Sequence, residues 1–194
     1  PENLEKIKDQ AFMNCGGLIG SLIIPNNIKE IGSYAFGNDI GGPSFSGNLV
    51  LPKGLKSIGY AAFKDTKFKG ELNIPQTVTS IAARAFWGTE FSGTLVLPKD
   101  LISLGEDAFR ECWRLSGVVE IPENVVAIPS RLFYGCKNIE GIVLHKDVEV
   151  IEEGAFENCF YVSSIVSKAK NAPTINSTAF NGVAKDNFVV EVPE

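Results

Sequence analysis

The chain has 194 residues, 44% of them hydrophobic, a formal net charge of −5 and a pI near 5.1. Its length and apolar content suit one folded domain over residues 1–194, and its acidic balance disfavours nucleic acid or anionic lipid, which call for a basic surface. No stretch approaches the roughly 18 apolar residues that cross a bilayer, so this segment is not expected to insert in a membrane.

Read from the N-terminus, phenylalanine recurs at Phe12, Phe36, Phe63, Phe86, Phe109, Phe133, Phe156 and Phe180, with separations of 24, 27, 23, 23, 24, 23 and 24 residues. Alanine precedes seven of them, and Leu132 precedes Phe133. Five residues before each stands an aliphatic residue: Ile7, Ile31, Ile58, Ile81, Leu104, Ile128, Ile151 and Ile175. A period in this range over the whole chain signals a solenoid, whose units bury their apolar faces only by stacking. A second column, Pro25, Pro52, Pro75, Pro98, Pro122 and Pro193, closes short apolar runs, with His145 in the sixth place. From each of the first five prolines, and from His145, to the next phenylalanine is 11 residues. The other half of the unit varies, which marks a surface loop; the longest insertion, 37–46, predicts a protruding loop.

The runs before the prolines, 22–24, 49–51, 72–74, 95–97, 119–121 and 142–144, read as strands with outer residues inward and the middle one outward. Proline ends each, having no N–H for a ladder. Segments such as 31–36 and 58–63 fit one short helical turn. The expected fold is therefore an α/β repeat solenoid of about eight turns of ~23 residues, with one parallel sheet of short strands.

The motif Ile-x-x-x-Ala-Phe-x-x-Cys-x-x-Leu-x-x-x-Leu-x-Ile-Pro, matched closely by residues 7–25, resembles the BspA-type leucine-rich repeat, also called the treponemal type. The resemblance covers essentially the whole chain. It implies a right-handed superhelix with its sheet on the concave face, and a bacterial cell-surface or secreted protein, in some members a lipoprotein, with roles in adhesion and host contact. It supplies no catalytic residues. Units two to four depart from the pattern, carrying Asp39, Thr66 and Thr89 in the cysteine place and opening the next run with Phe45-Ser-Gly, Phe68-Lys-Gly and Phe91-Ser-Gly. Residues 168–194 resemble the family's terminal, capping-like unit, and Pro1 starts mid-unit, as in an N-terminally truncated piece.

Chemistry is scarce along the sequence. Cys15, Cys112, Cys136 and Cys159 each follow a phenylalanine by three residues, so the repeat sets their spacing. They read as small buried thiols, with disulfides between turns as the alternative. His145 reads as a solvated substitute for proline, and the pairs Glu106-Asp107 and Glu152-Glu153 as solvated charges. No catalytic, metal-binding or cofactor-binding set emerges. The candidate partner-binding residues are Trp87, Arg110, Trp113, Tyr134, Phe160 and Tyr161, large side chains in the variable half of successive units and of types enriched at binding hot spots. They either engage a partner or fold over the core beneath them. The ribbon of outward strand residues, from Ser21 and Ile23 to Val143, is a second candidate surface. The expected function is a non-enzymatic interaction module, monomeric, binding a protein or glycan; a passive spacer presenting another domain is the alternative.

Overall fold

The computed structural model describes residues 3–15, 17–40, 45–169 and 171–184, and the backbone of 189–191. It is a stack of parallel coils, numbered here 1 to 8 by their phenylalanines, with seven turns between Phe12 and Phe180. Those eight rings form one continuous ladder. Successive centroids lie 5.3–5.7 Å apart and neighbouring planes deviate by 4–17°. From Phe63 to Phe156 the rings are fully buried. A second ladder, Phe45–Phe68–Phe91, runs beside it and meets the first edge-on. Burying rings of this size dominates the core energetics.

Two sheet faces, each divided into two sheets, flank the ladders. The runs before the prolines keep their expected alternation: Leu95 and Leu97 are buried while Val96 is exposed. Strand pairing is less regular than the sequence predicts. Leu22–Ile23 pairs with Leu49–Val50, residues 72–74 form no strand, and coil 5 pairs through Gly93–Thr94 instead of 95–97. Gly93–Thr94, Leu115–Glu120, Ile139–Leu144, Ser164–Ser167 and Val189–Glu191 then make a five-stranded parallel sheet. Position 193, in the proline column, and residues 41–44 of the expected loop lie outside the described residues.

A further sheet lies at the isoleucine column, where no strand was predicted. Lys6–Ile7, Glu30–Ile31, Ser57–Ile58, Ser80–Ile81 and Ser103–Leu104 form five parallel strands, and Ala127–Ile128, Val150–Ile151 and Thr174–Ile175 form three more. The break between the sets has a chemical cause. Gly105 N–H donates to the Ile81 carbonyl at 2.9 Å, and Pro129, its counterpart one coil later, has no N–H to give Leu104.

The expected helical turns are absent; no helix occurs among the described residues, so the α part of the predicted class is corrected. Around each phenylalanine, alternate N–H groups point in different directions. Those of Arg84, Phe86 and Gly88 donate to the next coil, at Glu106, Ala108 and Arg110, over 2.8–3.0 Å. Those of Ala85, Trp87 and Thr89 turn back three residues within their own coil. A helix would use every N–H internally and leave nothing to join the stack. The alternation requires left-handed backbone two residues before the phenylalanine, as at Tyr34, Ala61, Arg84, Asp107 and Arg131 (φ 50–60°), and again two residues after it. Gly88, Gly135 and Gly182 fill the later position in three coils, and Asp65, Glu111 and Asn158 in others.

Two stability predictions follow from this packing. Phe86→Ala should cost roughly 3–5 kcal/mol, whereas Phe12→Ala, at the 41% exposed end of the ladder, should cost clearly less. Equal urea midpoint shifts would contradict the ladder's role. Glu111→Gly, which relieves a left-handed non-glycine residue, should raise stability by roughly 0.5–1 kcal/mol in the same assay.

Candidate interaction surface

The column one residue after the phenylalanines carries Lys64, Trp87, Arg110 and Tyr134 on four successive coils. These stack as cation, ring, cation, ring. Lys64 Nζ lies 5.2 Å from the Trp87 ring centre, and the Arg110 guanidinium 4.7 Å from Trp87 and 4.5 Å from Tyr134. Arg84, on the same coil as Trp87, lies 5.3 Å from its ring centre, and its Nη1 donates to the Tyr60 hydroxyl at 2.6 Å. Cation–π contacts of this kind contribute about 0.5–2 kcal/mol each.

Beneath them sits Asp107, expected as a solvated charge and found with a side chain only 1% exposed. Its carboxylate accepts from Arg84 Nε at 3.4 Å, Arg110 Nη1 at 3.3 Å and Arg131 Nε at 3.1 Å. Three guanidinium groups explain why a carboxylate is stable there. Glu106, by contrast, is exposed. At the other end of the edge, burial acts to lower the Lys64 ammonium, but its hydrogen bond to Asp39 and the nearby Asp65 outweigh this and hold its pKa above the ordinary lysine value.

Trp113, Phe160 and Tyr161 stand apart from that stack. They follow the cysteine column on coils 5 and 7, with Lys137 in that place on coil 6, and are more exposed, Trp113 at 42% and Tyr161 at 66%. Trp113 is covered on one face by Arg114, at 4.5 Å. The six candidate residues therefore divide into a stacked trio, Trp87, Arg110 and Tyr134, and a looser exposed trio. Of the residues that hold the first trio in place, Lys64, Arg84 and Arg131 were not singled out from the sequence, and Asp107 was expected to be solvated. Their signal was their position, one after or two before a column phenylalanine. On the strand face, Ile23, Val50, Asn73, Val96 and Glu120 are exposed in one column.

The model of the BspA type leucine rich repeat region matches this chain in six copies, over residues 1–92, 42–163 and 91–191. The chain belongs to the BspA-type leucine-rich repeat family. Its fold is similar to that of a leucine-rich repeat protein from Bacteroides ovatus (TM-score 0.65, 20% identity). That match covers 96% of this chain and 59% of the other, so the chain spans well under two thirds of that protein's length. It is also similar to a T. pallidum leucine rich repeat protein (TM-score 0.60, 25% identity), covering 81% of this chain and 71% of that one. No curated protein matches the chain. Repeats of this family are typically interaction or surface modules.

The BspA-type cysteine column is a packing and hydrogen-bonding position. Cys112, Cys136 and Cys159 are buried, and each Sγ donates to the phenylalanine carbonyl of the preceding coil at 3.0–3.1 Å. Thr66 and Thr89 donate instead to the phenylalanine carbonyl of their own coil, at 2.7 and 2.9 Å. Both side chains thus satisfy a buried carbonyl, which is why they interchange. Cys15, in the first coil, is exposed. His145 is also corrected: it is buried, accepting the Asp147 N–H at Nδ1 and so carrying its proton on Nε2, which donates to the Val125 carbonyl at 3.0 Å.

Burial pushes the Cys159 thiol up to about 12 and the Cys136 thiol well above its ordinary value. The folded chain therefore keeps protons that the unfolded chain releases from about pH 8.5 upward. Stability should be unaffected by these groups below that pH and fall progressively toward pH 12. Cys159→Thr should flatten the fall in urea titrations. At pH 8 a thiol reagent should label Cys15 alone until denaturant is added.

Proposed function

We propose that this chain is a non-enzymatic interaction module of a cell-surface or secreted bacterial protein. It acts as a monomer in adhesion or host contact and binds a protein or glycan partner along its aromatic edge. The observation that carries this reading is the exposure of Trp113, Phe160 and Tyr161 in the same variable half of the repeat that carries the stacked trio Trp87, Arg110 and Tyr134. Large amphipathic rings on a rigid scaffold contribute binding energy at low entropic cost. Membership of a family of repeat scaffolds supports the non-enzymatic part. Within the edge, the exposed Trp113, Phe160 and Tyr161 supply contact area, while the stacked trio presents ring edges and guanidinium N–H groups. The spacer alternative draws support from the same stack, because Trp87 and Tyr134 already spend ring faces on Arg110.

A screen of the domain against host matrix proteins, mucins and glycans tests the proposal. Trp113→Ala combined with Tyr161→Ala should weaken binding to the ligand found by at least tenfold while moving the melting temperature little. Trp87→Ala should weaken binding and also lower the melting temperature, since it removes three cation–ring contacts. Failure to bind any member of the screen would favour the spacer, and unchanged affinity in the double variant would move the site to the strand face.

A further inference from the structure

We propose that a groove between coils 5 and 6 binds an extended, basic segment of a partner protein by pairing with its backbone. The groove has a volume of about 1170 Å³ and lies between residues 94–100 of coil 5 and 118–124 of coil 6. It is built from columns other than those of the aromatic edge and stands whether or not that edge binds.

The groove opens where three separate links between coils fail together. The first is the isoleucine-column sheet, which stops at Leu104 and resumes at Ala127 because Pro129 lacks a donor. The series of bonds just before that column also skips this junction: Thr79 donates to Lys56, Ile102 to Thr79 and Glu149 to Val126, and among the described residues no bond runs from Val126 to Ile102. The second is the set of side-chain ties between corners. Thr77 Oγ1 reaches Lys53 and Leu55, Gln76 Oε1 takes the Lys99 N–H, and His145 reaches Val125. Among the described residues none ties 98–101 to 122–125. The third is the strand ladder. Gly93 pairs with Leu115, 22 residues on, yet Pro98 and Pro122 are 24 apart, so coil 6 carries two more residues across the pairing and the ladder ends at Thr94–Ser116.

Beyond that point both strand edges are unpaired. Ile121 N–H donates to Val143 in coil 7, so by strand alternation Val118 and Glu120 direct their N–H and C=O groups back toward coil 5. Leu95 and Leu97 direct theirs toward coil 6. No backbone bond joins these groups among the described residues. Such edges are met by an added chain in extended conformation, whose alternate side chains then select the partner. Two features define that selection. Val96 and Val118 present exposed aliphatic surface, and the rim carries Asp100, Glu120 and Glu123 against one cation, Lys99. The matching segment alternates aliphatic and basic residues.

The test uses the full chain and three labelled octapeptides, followed by fluorescence anisotropy: alternating lysine and valine, alternating glutamate and valine, and the lysine–valine peptide N-methylated on its backbone. Saturable binding of the first, at least tenfold tighter than of the other two, is expected. Glu120→Lys with Glu123→Lys should reverse the preference between the first two. Amide exchange at Val118 and Glu120 should be fast in the free chain and slowed by the lysine–valine peptide. Absence of saturable binding, equal binding of the N-methylated peptide, or protection of both amides in the free chain would each overturn the proposal.

Discussion

Stacking of one phenylalanine per coil is the interaction on which the rest of this structure depends. The ring column sets the rise of the coils and fills the centre of the core. It also forces the backbone around it into the alternating pattern by which half the N–H groups join neighbours. Alanine stands before the ring in seven coils, where neighbouring coils press together; Ala85 and Ala108 are fully buried, and so is Leu132, the one larger residue in the column. The strain of left-handed residues on both sides of the ring is tolerated because each coil repeats the same hydrogen bonds to the next. An isolated unit would have none of these compensations.

The buried columns were legible in the sequence because burial constrains side-chain type directly. Between coils 2 and 7 the phenylalanines and the aliphatic residues five positions earlier are buried, Leu104 only partly, and the alternation of Leu95, Val96 and Leu97 holds; at the ends Phe12 and Ile175 are exposed. The backbone around the rings was misread because Ile31 to Phe36 has the apolar spacing of a helical turn as well as of a tight bend. Composition alone does not report the left-handed conformation of Tyr34 or Arg84, whose side chains are unusual in that region. Glycine at 88, 135, 154 and 182 was the available clue. The second sheet was missed for a related reason: two-residue strands at Ser80–Ile81 are too short to show alternation and exist only because their neighbours pair with them.

The candidate surface was legible in part. Column arithmetic placed Trp87, Arg110 and Tyr134 on adjacent coils, and they do stack. It could not show that Asp107 turns inward, because a run such as Glu106-Asp107 reads as solvated unless the arginines converging from coils 4, 5 and 6 are known. The same limit applies to His145, whose burial follows from the Val125 carbonyl and Asp147 N–H that its ring nitrogens meet. In each case the partner is about one repeat away or lies on a turn.

The groove coincides with a change in the repeat itself. From coil 2 up to coil 5, the second column is built from rings, Phe45, Phe68 and Phe91, and threonine caps the coil's own carbonyl at Thr66 and Thr89. Beyond it, Leu115, Ile139 and Val162 take the ring positions, and Cys112, Cys136 and Cys159 tie each coil to the one before. From coil 2 onward the molecule is in this respect two short one-dimensional crystals grown end to end. Their lattices share the main phenylalanine column but differ in what fills the space beside it. Misfit between two such lattices collects at the boundary, as a stacking fault does, and leaves the coils on either side regular.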